Sequence, residues 1–206
     1  MKLERDAALR QLDGVVGPVT RDMPYTRAAI DPFTLGHKLE RLAWQLCWAL
    51  LASWTPPKFA PWRRWLLRRF GADLAGTADV RGSARVWFPR NLTMGTASIL
   101  AQSVNCYNQG QIRIGERVTV SQGAYLCGGS HEVDTPAFTW FAAPITVEDG
   151  AWVAAEAFIG PGVTIGTGAV LGARAVTMRD VPPMAIYVGN PAQLARMRRL
   201  ETTHGN

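Results

Sequence analysis

An aliphatic side chain recurs at every sixth position through the second half of the sequence, in the unbroken series Val147, Val153, Ile159, Ile165 and Leu171. A small or slim apolar residue follows each of them four positions later, at Ala151, Ala157, Val163, Ala169 and Ala175. A period of six matches neither the 3.6 residues of a helical turn nor the two residues of a single strand. It fits a short strand followed by a tight turn, so that three units close a triangular coil of about 18 residues and stacked coils pair in parallel. The pattern predicts an all-β solenoid.

Two earlier segments carry the same pattern, a weak one at Val80, Val86 and Leu92 and a regular one at Ile114, Val120 and Leu126. In the later series, glycine directly follows the aliphatic residue at Gly160, Gly166 and Gly172. We expect these glycines to supply the backbone conformations of the turns.

A long interruption separates the two regular series. Val147 follows Ile114 by 33 residues, which is one coil of 18 plus 15. Val147 can therefore lie one coil above Ile114 if residues 132–146 leave the coil as a loop. Long excursions from rigid scaffolds tend to carry function, and this one begins directly after His131.

The repeat divides the chain into three parts. We expect residues 1–72 to form an N-terminal extension and helical cap, residues 73–191 the β-helix, and residues 192–206 a short C-terminal helix and tail. Residues 1–30 show little periodicity, and we expect them to lie along the surface or to be partly disordered.

Two amphipathic helices are predicted at residues 37–54 and 58–70, ended by Pro56 and Pro57 and by Gly71. The first helix has an apolar face of Leu39, Leu42, Leu46 and Leu50, which Trp44, Trp48 and Leu51 widen. The second helix has an apolar face of Phe59, Trp62, Trp65 and Leu66, and its other face is basic, with Arg63, Arg64, Arg68 and Arg69. Such helices can cover the open edge of a solenoid, or they can contact a membrane surface through residues 37–70. The two interpretations are compatible.

The charge is distributed unevenly along the chain. Residues 1–71 hold 12 of the 22 Lys and Arg and 6 of the 16 Asp and Glu, so the remainder is balanced. This argues against a nucleic-acid partner, which would require a broadly basic domain. The N-terminus shows no signal peptide, and the longest apolar stretch, residues 46–54, is too short to span a bilayer. We expect a cytoplasmic protein, with contact to the inner face of the membrane as an open alternative.

One histidine stands out as a candidate for chemistry. Of His37, His131 and His204, only His131 lies in the repeat region. Imidazole exchanges protons near neutral pH, which suits a general base. A zinc site would need several histidines, so we expect no metal.

Four motifs resemble those of the hexapeptide-repeat acyltransferases. They are SQGAYLCGGSH at residues 121–131, PITVEDGAWV at 144–153, PGVTIG at 161–166 and GNPA at 189–192. The Trp-rich N-terminal part, ending in LRRFGA at 67–72, is similar to that of acetyltransferases of exopolysaccharide (colanic-acid type) biosynthesis. The resemblance implies a left-handed parallel β-helix, a homotrimer, and acetyl-CoA bound in a groove between subunits.

The resemblance also implies roles for single residues. His131 would be the general base, and Trp152, Ala155, Ala173, Arg179 and Arg196 would contact the coenzyme. Tyr107 and Asn108 would contact the acceptor, although Asn108 could equally satisfy a coil turn. Glu132 or Asp134 could orient the imidazole, or simply be solvated. Trp140 could stack on a sugar ring or pack the loop onto the next subunit.

The function implied is transfer of an acetyl group from acetyl-CoA to a hydroxyl of a sugar or exopolysaccharide precursor. Two alternatives stay open. One is acetyl transfer to a small acceptor such as serine or an amino sugar. The other is a non-catalytic trimeric scaffold that uses its Trp- and Arg-rich helices to bind a membrane or other enzymes.

Overall fold

The computed structural model describes residues 33–134 and 136–199 in full, together with the backbone of residues 26–28. These residues form a parallel β-solenoid of about six turns, preceded by two helices and closed by an antiparallel strand pair. The predicted solenoid is therefore confirmed. The expectation for residues 1–30 lies outside the described residues except at 26–28.

The strands are short, as a solenoid of six-residue units requires. In chain order they are β1 (Thr26–Ala28), β2 (Asp73–Leu74), β3 (Asp79–Val80), β4 (Arg85–Val86), β5 (Leu92–Met94), β6 (Ile99–Leu100), β7 (Asn105–Tyr107), β8 (Ile112–Ile114), β9 (Thr119–Val120), β10 (Tyr125–Cys127), β11 (Gly129–His131), β12 (Trp140–Ala142), β13 (Ile145–Val147), β14 (Trp152–Val153), β15 (Phe158–Ile159), β16 (Thr164–Ile165), β17 (Val170–Leu171), β18 (Val176–Thr177), β19 (Ala185–Val188) and β20 (Gln193–Met197).

The solenoid has three faces of parallel strands. The first stacks β2, β5, β8, β13 and β16; the second stacks β3, β6, β9, β14, β17 and β19; the third stacks β4, β7, β10, β15 and β18. Their inward aliphatic and alanine side chains form one continuous buried core.

Coil length changes along the solenoid. Val147 pairs with Ile114, as the predicted loop requires, and Leu171 pairs with Val153 eighteen residues earlier. Leu100, however, pairs with Val80, so the early coils hold 20 residues rather than 18. The extra residues widen the corner after the third face, where the buried Asn108 amide holds the chain through its own hydrogen bonds.

The turns use glycine differently from our prediction. The left-handed backbone conformation falls three residues after the aliphatic one, where φ is +65° at Gly168 but also +59° at Glu156 and +58° at Arg174. Gly166 is needed for another reason, because a Cβ there would lie 2.6 Å from the backbone nitrogen of Pro183. The glycine after the aliphatic residue is therefore required by the close approach of the next coil.

Two helices precede the first coil. Helix α1 is Leu35–Leu51, and helix α2 is Ala60–Arg69, which follows a 3₁₀ turn at Pro57–Phe59. The Thr34 hydroxyl accepts a hydrogen bond from the His37 N–H at 3.2 Å and so caps α1. Within the described residues, no helix is long and apolar enough to cross a membrane.

The helices close the open edge of the first coil. Backbone N–H groups of each coil bond to carbonyls of the next coil, as Asp79 does to Ser98. The carbonyls of the first coil therefore have no preceding coil to pair with. Side-chain donors from the helices bind five of them: Trp44 to Val86 at 2.7 Å, Trp48 to Gly82 at 3.0 Å, Arg63 to Val80 at 2.6 Å, Arg64 to Ala78 at 2.7 Å and Arg68 to Leu74 at 3.0 Å.

This arrangement corrects the helix faces predicted above. Trp44 and Trp48 are buried against the coil, whereas the leucine stripe of α1 points away from it. In α2, Arg63 is fully buried, while Trp62 and Trp65 are exposed. The reason is that unpaired carbonyls need N–H donors, which indole and guanidinium groups supply and leucine does not.

The short C-terminal helix predicted within residues 192–206 is wrong where the structure describes that segment. Residues Gln193–Met197 form β20, which runs antiparallel to β19 (Ala185–Val188). The exposed edge of the last coil offers backbone groups that a strand satisfies and a helix does not. Residues 200–206, including His204, lie outside the described residues.

Candidate active site

The chain leaves the solenoid earlier than predicted and forms a hairpin rather than an open loop. Strand β11 (Gly129–His131) pairs antiparallel with β12 (Trp140–Ala142), and His131 lies opposite Trp140. The other edge of β12 pairs with the N-terminal strand β1 (Thr26–Ala28). His131 is thus placed on a three-stranded sheet that projects from the coil.

The imidazole of His131 is exposed and has a fixed orientation. Its Nδ1 lies 2.9 Å from the carbonyl oxygen of Phe138, and its ring stacks on the Phe138 ring with centroids 4.4 Å apart. A carbonyl only accepts hydrogen bonds, so Nδ1 carries the proton in this contact. In the neutral ring, the lone pair is then on Nε2, the atom that a general base needs.

The turn that supplies this carbonyl is strained. Phe138 has a φ of +45°, in the left-handed region that bulky residues rarely adopt. Such a conformation costs on the order of 1–3 kcal/mol and persists only where the surroundings hold it. The antiparallel pairing of β11 and β12 provides that support.

The group that orients His131 is therefore a backbone carbonyl, which no sequence pattern indicates. Of the two predicted candidates, Glu132 is half-buried and its backbone N–H donates to the Thr139 carbonyl at 2.8 Å. Asp134 is exposed in the turn. The imidazole Nδ1 instead binds the Phe138 carbonyl.

Trp140 connects the hairpin to the body of the protein. Its indole N–H donates to Gln109 Oε1 at 3.0 Å, and its ring meets the Phe33 ring edge-on at 5.4 Å. These contacts lie within one chain and hold β12 against the coil. They position His131 through its strand partner.

The contacts of Asn108 are those expected if its side chain satisfies a coil turn rather than binding the acceptor. Its side chain is buried, its Oδ1 accepts from the Phe88 N–H at 3.0 Å, and its Nδ2 donates to the Phe88 carbonyl at 2.6 Å. Tyr107, by contrast, is half-buried on the outer side of the third face.

Tyr107 belongs to a row of aromatic rings along the outer side of the third face. Ring centroids are 6.0 Å apart for Trp87 and Tyr107, 6.2 Å for Tyr107 and Tyr125, and 5.3 Å for Tyr125 and Phe158. Burial and the neighbouring Cys127 raise the pKa of Tyr125 to about 12, so its hydroxyl stays a hydrogen-bond donor at neutral pH. Our sequence analysis missed this row, although Tyr125 and Phe158 each directly precede an inward aliphatic residue.

Cys127 lies beside the same row. Its thiol donates to the Gly129 carbonyl at a sulfur–oxygen distance of 3.2 Å, and burial raises the pKa of the thiol. The protonated thiol is a poor nucleophile, because the reactive form of cysteine is the thiolate.

The residues predicted to contact a coenzyme lie on the outer surface of the late coils. Trp152 is exposed and donates from its indole to the Ser121 hydroxyl at 2.9 Å. Ala155 and Ala173 are one coil apart at the corner between the second and third faces, and Arg179 is exposed at the next corner. Arg196 is exposed on β20, opposite Ile186.

Titratable side chains do not gather into a metal site in the described part of the chain. There, no three His, Cys, Asp or Glu residues lie close enough to hold an ion.

Solved structures of known acetyltransferases share this fold. A maltose O-acetyltransferase from Clostridium difficile 630 is 23% identical, covers 79% of this chain and 88% of its own, and superposes with a TM-score of 0.70. A hexapeptide-repeat acetyltransferase of Vibrio cholerae in complex with acetyl coenzyme A is 24% identical over 82% of this chain and 93% of its own, with a TM-score of 0.72. A galactoside acetyltransferase in complex with coenzyme A is 21% identical over 82% and 86%, with a TM-score of 0.71. The fold they share with this chain is the left-handed parallel β-helix.

Sequence comparison gives a stronger relationship. No protein-family model matches the chain. WcaF of Escherichia coli (strain K12), a protein named for an acetyltransferase role in colanic acid biosynthesis, is 37% identical over 170 residues, which are 82% of this chain and 93% of WcaF. WcaF of Shigella flexneri matches to the same extent. The chain belongs to the WcaF family of hexapeptide-repeat acetyltransferases.

Proposed function

We propose that this acetyltransferase moves an acetyl group from acetyl-CoA to a hydroxyl of a sugar or exopolysaccharide precursor, with His131 as the general base. The observation that carries the proposal is the hydrogen bond from His131 Nδ1 to the Phe138 carbonyl at 2.9 Å. It fixes the tautomer in which Nε2 accepts a proton, on an exposed ring that an acceptor can reach.

The reaction is a single displacement. Nε2 takes the proton of the acceptor hydroxyl while that oxygen attacks the thioester carbonyl of acetyl-CoA. The tetrahedral intermediate places negative charge on the former carbonyl oxygen, which a backbone N–H would stabilise. Its collapse breaks the carbon–sulfur bond, and the imidazolium returns the proton to the CoA sulfur. No acyl-enzyme forms, which agrees with the raised pKa of the Cys127 thiol.

The late coils offer a surface suited to the coenzyme. Ala155 and Ala173 present small side chains at successive levels of one corner, which leaves room for an extended pantetheine arm. Arg179 and Arg196 are exposed cations that suit phosphate groups, and Trp152 supplies an exposed ring three residues before Ala155. Support also comes from the two fold relatives that hold acetyl coenzyme A or coenzyme A.

We propose that the functional unit is a homotrimer in the cytoplasm. His131 is exposed in the single chain, so a neighbouring subunit would provide the second wall of the cleft. The family resemblance described above implies the same assembly. The cysteines Cys47, Cys106 and Cys127 are all free thiols, as expected in a reducing compartment.

A sugar acceptor is favoured over serine by the aromatic row of Trp87, Tyr107, Tyr125 and Phe158. Aromatic faces combined with phenolic hydroxyls suit a pyranose ring, which presents both apolar C–H and polar hydroxyl groups. Trp140, on the strand opposite His131, adds a further ring at the same end of the hairpin.

The experiment supplies purified protein and acetyl-CoA with nucleotide-linked sugars, lipid-linked sugars, free serine and amino sugars in parallel. Release of CoA is followed by a thiol reagent against a protein-only blank, and the product is identified by mass spectrometry. We expect turnover and an O-acetyl product with a sugar acceptor. N-acetylation of an amino sugar or turnover with serine alone would contradict the acceptor class. Failure of the protein to bind acetyl-CoA in calorimetry would instead support the scaffold alternative.

A further inference from the structure

Helix α1 carries two apolar faces, and only one of them packs on the protein. Trp44 and Trp48 are buried against the first coil. On the opposite side, five leucines spaced three and four residues apart form a stripe in which each side chain is 52–72% exposed: Leu35, Leu39, Leu42, Leu46 and Leu50. Buried indoles already satisfy the coil edge, so this stripe has no structural role within the described chain.

Aromatic side chains extend this stripe beyond the end of α1. Trp54, Phe59, Trp62 and Trp65 are exposed, and the rings of Trp62 and Trp65 stack with centroids 5.0 Å apart. Between the helices lies an open apolar cleft of about 330 Å³, lined by Leu51, Trp54, Thr55, Phe59 and Trp62. We call the leucine stripe and these aromatic residues the outer helical surface. Contiguous apolar surfaces of this kind mark sites of association.

Basic side chains accompany the outer helical surface. Residues 33–71 contain seven Lys and Arg but a single acidic residue, Glu40, which pairs with Arg90 at 2.6 Å. Lys38, Lys58, Arg68 and Arg69 are exposed cations. An apolar stripe with Trp and Phe at one end and cations at its sides is the composition of helices that lie in the interface of an anionic bilayer.

We propose that the outer helical surface binds an anionic phospholipid membrane, with α1 lying in the plane of the headgroups and its leucines directed into the acyl region. Charge favours this occupant over a second copy of the chain, because a symmetric contact would bring identical cations together with only Glu40 to balance them. Anionic headgroups neutralise them instead. The inference goes beyond the acetyl transfer and does not depend on it.

The test is co-sedimentation of the purified protein with vesicles of phosphatidylglycerol and phosphatidylcholine, or of phosphatidylcholine alone. We expect binding to the anionic vesicles that weakens as ionic strength rises. The double variant Leu42→Glu and Leu46→Glu should lose binding by at least about tenfold, because two buried leucines become charges at the membrane. Leu194→Glu is the control, matched in exposure, because Leu194 on β20 is 55% exposed and Leu46 is 54% exposed. Leu194 lies outside the outer helical surface, so this variant should bind the vesicles as the unaltered protein does.

Further measurements make the outcome decisive. Circular dichroism verifies that the double variant is folded, and brominated phospholipids should quench tryptophan fluorescence of the unaltered protein. No binding of the unaltered protein to anionic vesicles would overturn the proposal, as would equal binding by the double variant. A smaller assembly of the double variant in analytical ultracentrifugation would show that the surface is instead a subunit contact.

Discussion

The coil body and the β11–β12 hairpin are built on opposite principles. In the body, each inward side chain is fixed by the coils above and below it, as Ile145 is by its fully buried position and its pairing with Ile112. In the hairpin, His131 is exposed and its orientation depends on one carbonyl and one stacked ring. The body carries the stability and the hairpin carries the proposed general base, so substitutions in the two regions should affect different measurements.

The largest effect on stability is expected for a core residue of the body. Ile145→Ala should lower the free energy of unfolding by about 2–5 kcal/mol, since it removes buried methyl groups and leaves a cavity. His131→Ala should change it by less than about 0.5 kcal/mol, because the ring is exposed. Urea denaturation at a fixed protein concentration measures both. Similar losses in the two variants would show that the hairpin is part of the stability core.

The helical cap should behave as part of the body. Arg63 is fully buried, donates to Val80, Thr55, Pro56 and Pro57, and pairs with Asp79 at 3.2 Å. Arg63→Met should therefore cost about 3 kcal/mol, because it leaves several buried acceptors without a donor.

Arg64 offers a matched control for this substitution, since it is less buried and donates to Ala78. Arg64→Met should cost about 1 kcal/mol. Thermal unfolding of the two variants compares them directly. If Arg64→Met proved as costly as Arg63→Met, the buried network around Arg63 would not be the stabilising feature.

A pair of glycines tests why the coils tolerate so little extra volume. Gly166→Ala would place a Cβ 2.6 Å from the backbone of Pro183, so we expect a loss of about 1–3 kcal/mol from overpacking. Gly76→Ala has open space around the new Cβ and should be almost neutral. Both are measured by chemical denaturation, and equal effects would contradict the close-approach explanation.

The smallest effect concerns Tyr125, at the end of the body where the hairpin begins. Burial raises its pKa to about 12, so folding favours the protonated phenol. That contribution to stability is complete below the unfolded pKa of about 10 and is lost as the pH rises from about 10 to 12. Tyrosinate absorbance should show Tyr125 titrating late, and Tyr125→Phe should reduce the late phase, leaving the part due to Tyr107, whose pKa burial also raises. Titration of every tyrosine near 10 would contradict this burial.

Much of the body could be predicted from the sequence, since periodic side chains obey one local rule. The spacing alone placed Val147 above Ile114, and the pairing of their strands confirms it. The spacing missed the 20-residue early coils, because their extra length depends on the side-chain amide of Asn108, which acts across a corner.

The remaining errors of the sequence-based predictions have a common physical origin, because backbone groups left unpaired by the solenoid need hydrogen-bond partners. Hydrophobicity cannot tell that Trp44 faces inward and Leu42 outward, because both are apolar and only indole donates a hydrogen bond to the coil edge. The same need for hydrogen-bond partners explains why residues 193–197 form a strand, which pairs with β19. The Phe138 carbonyl that orients His131 has no sequence signature, since every residue has a carbonyl.

The most direct test of the central claim is the turnover of His131→Ala with acetyl-CoA and a sugar acceptor, measured beside Val133→Ala. Val133 is exposed in the same hairpin, and the proposed mechanism gives its side chain no role. We predict a loss of about 10²–10⁴-fold for His131→Ala, with the fold and acetyl-CoA affinity preserved, and near-normal turnover for Val133→Ala. Turnover by His131→Ala equal to that of Val133→Ala would contradict the assignment of His131 as the base.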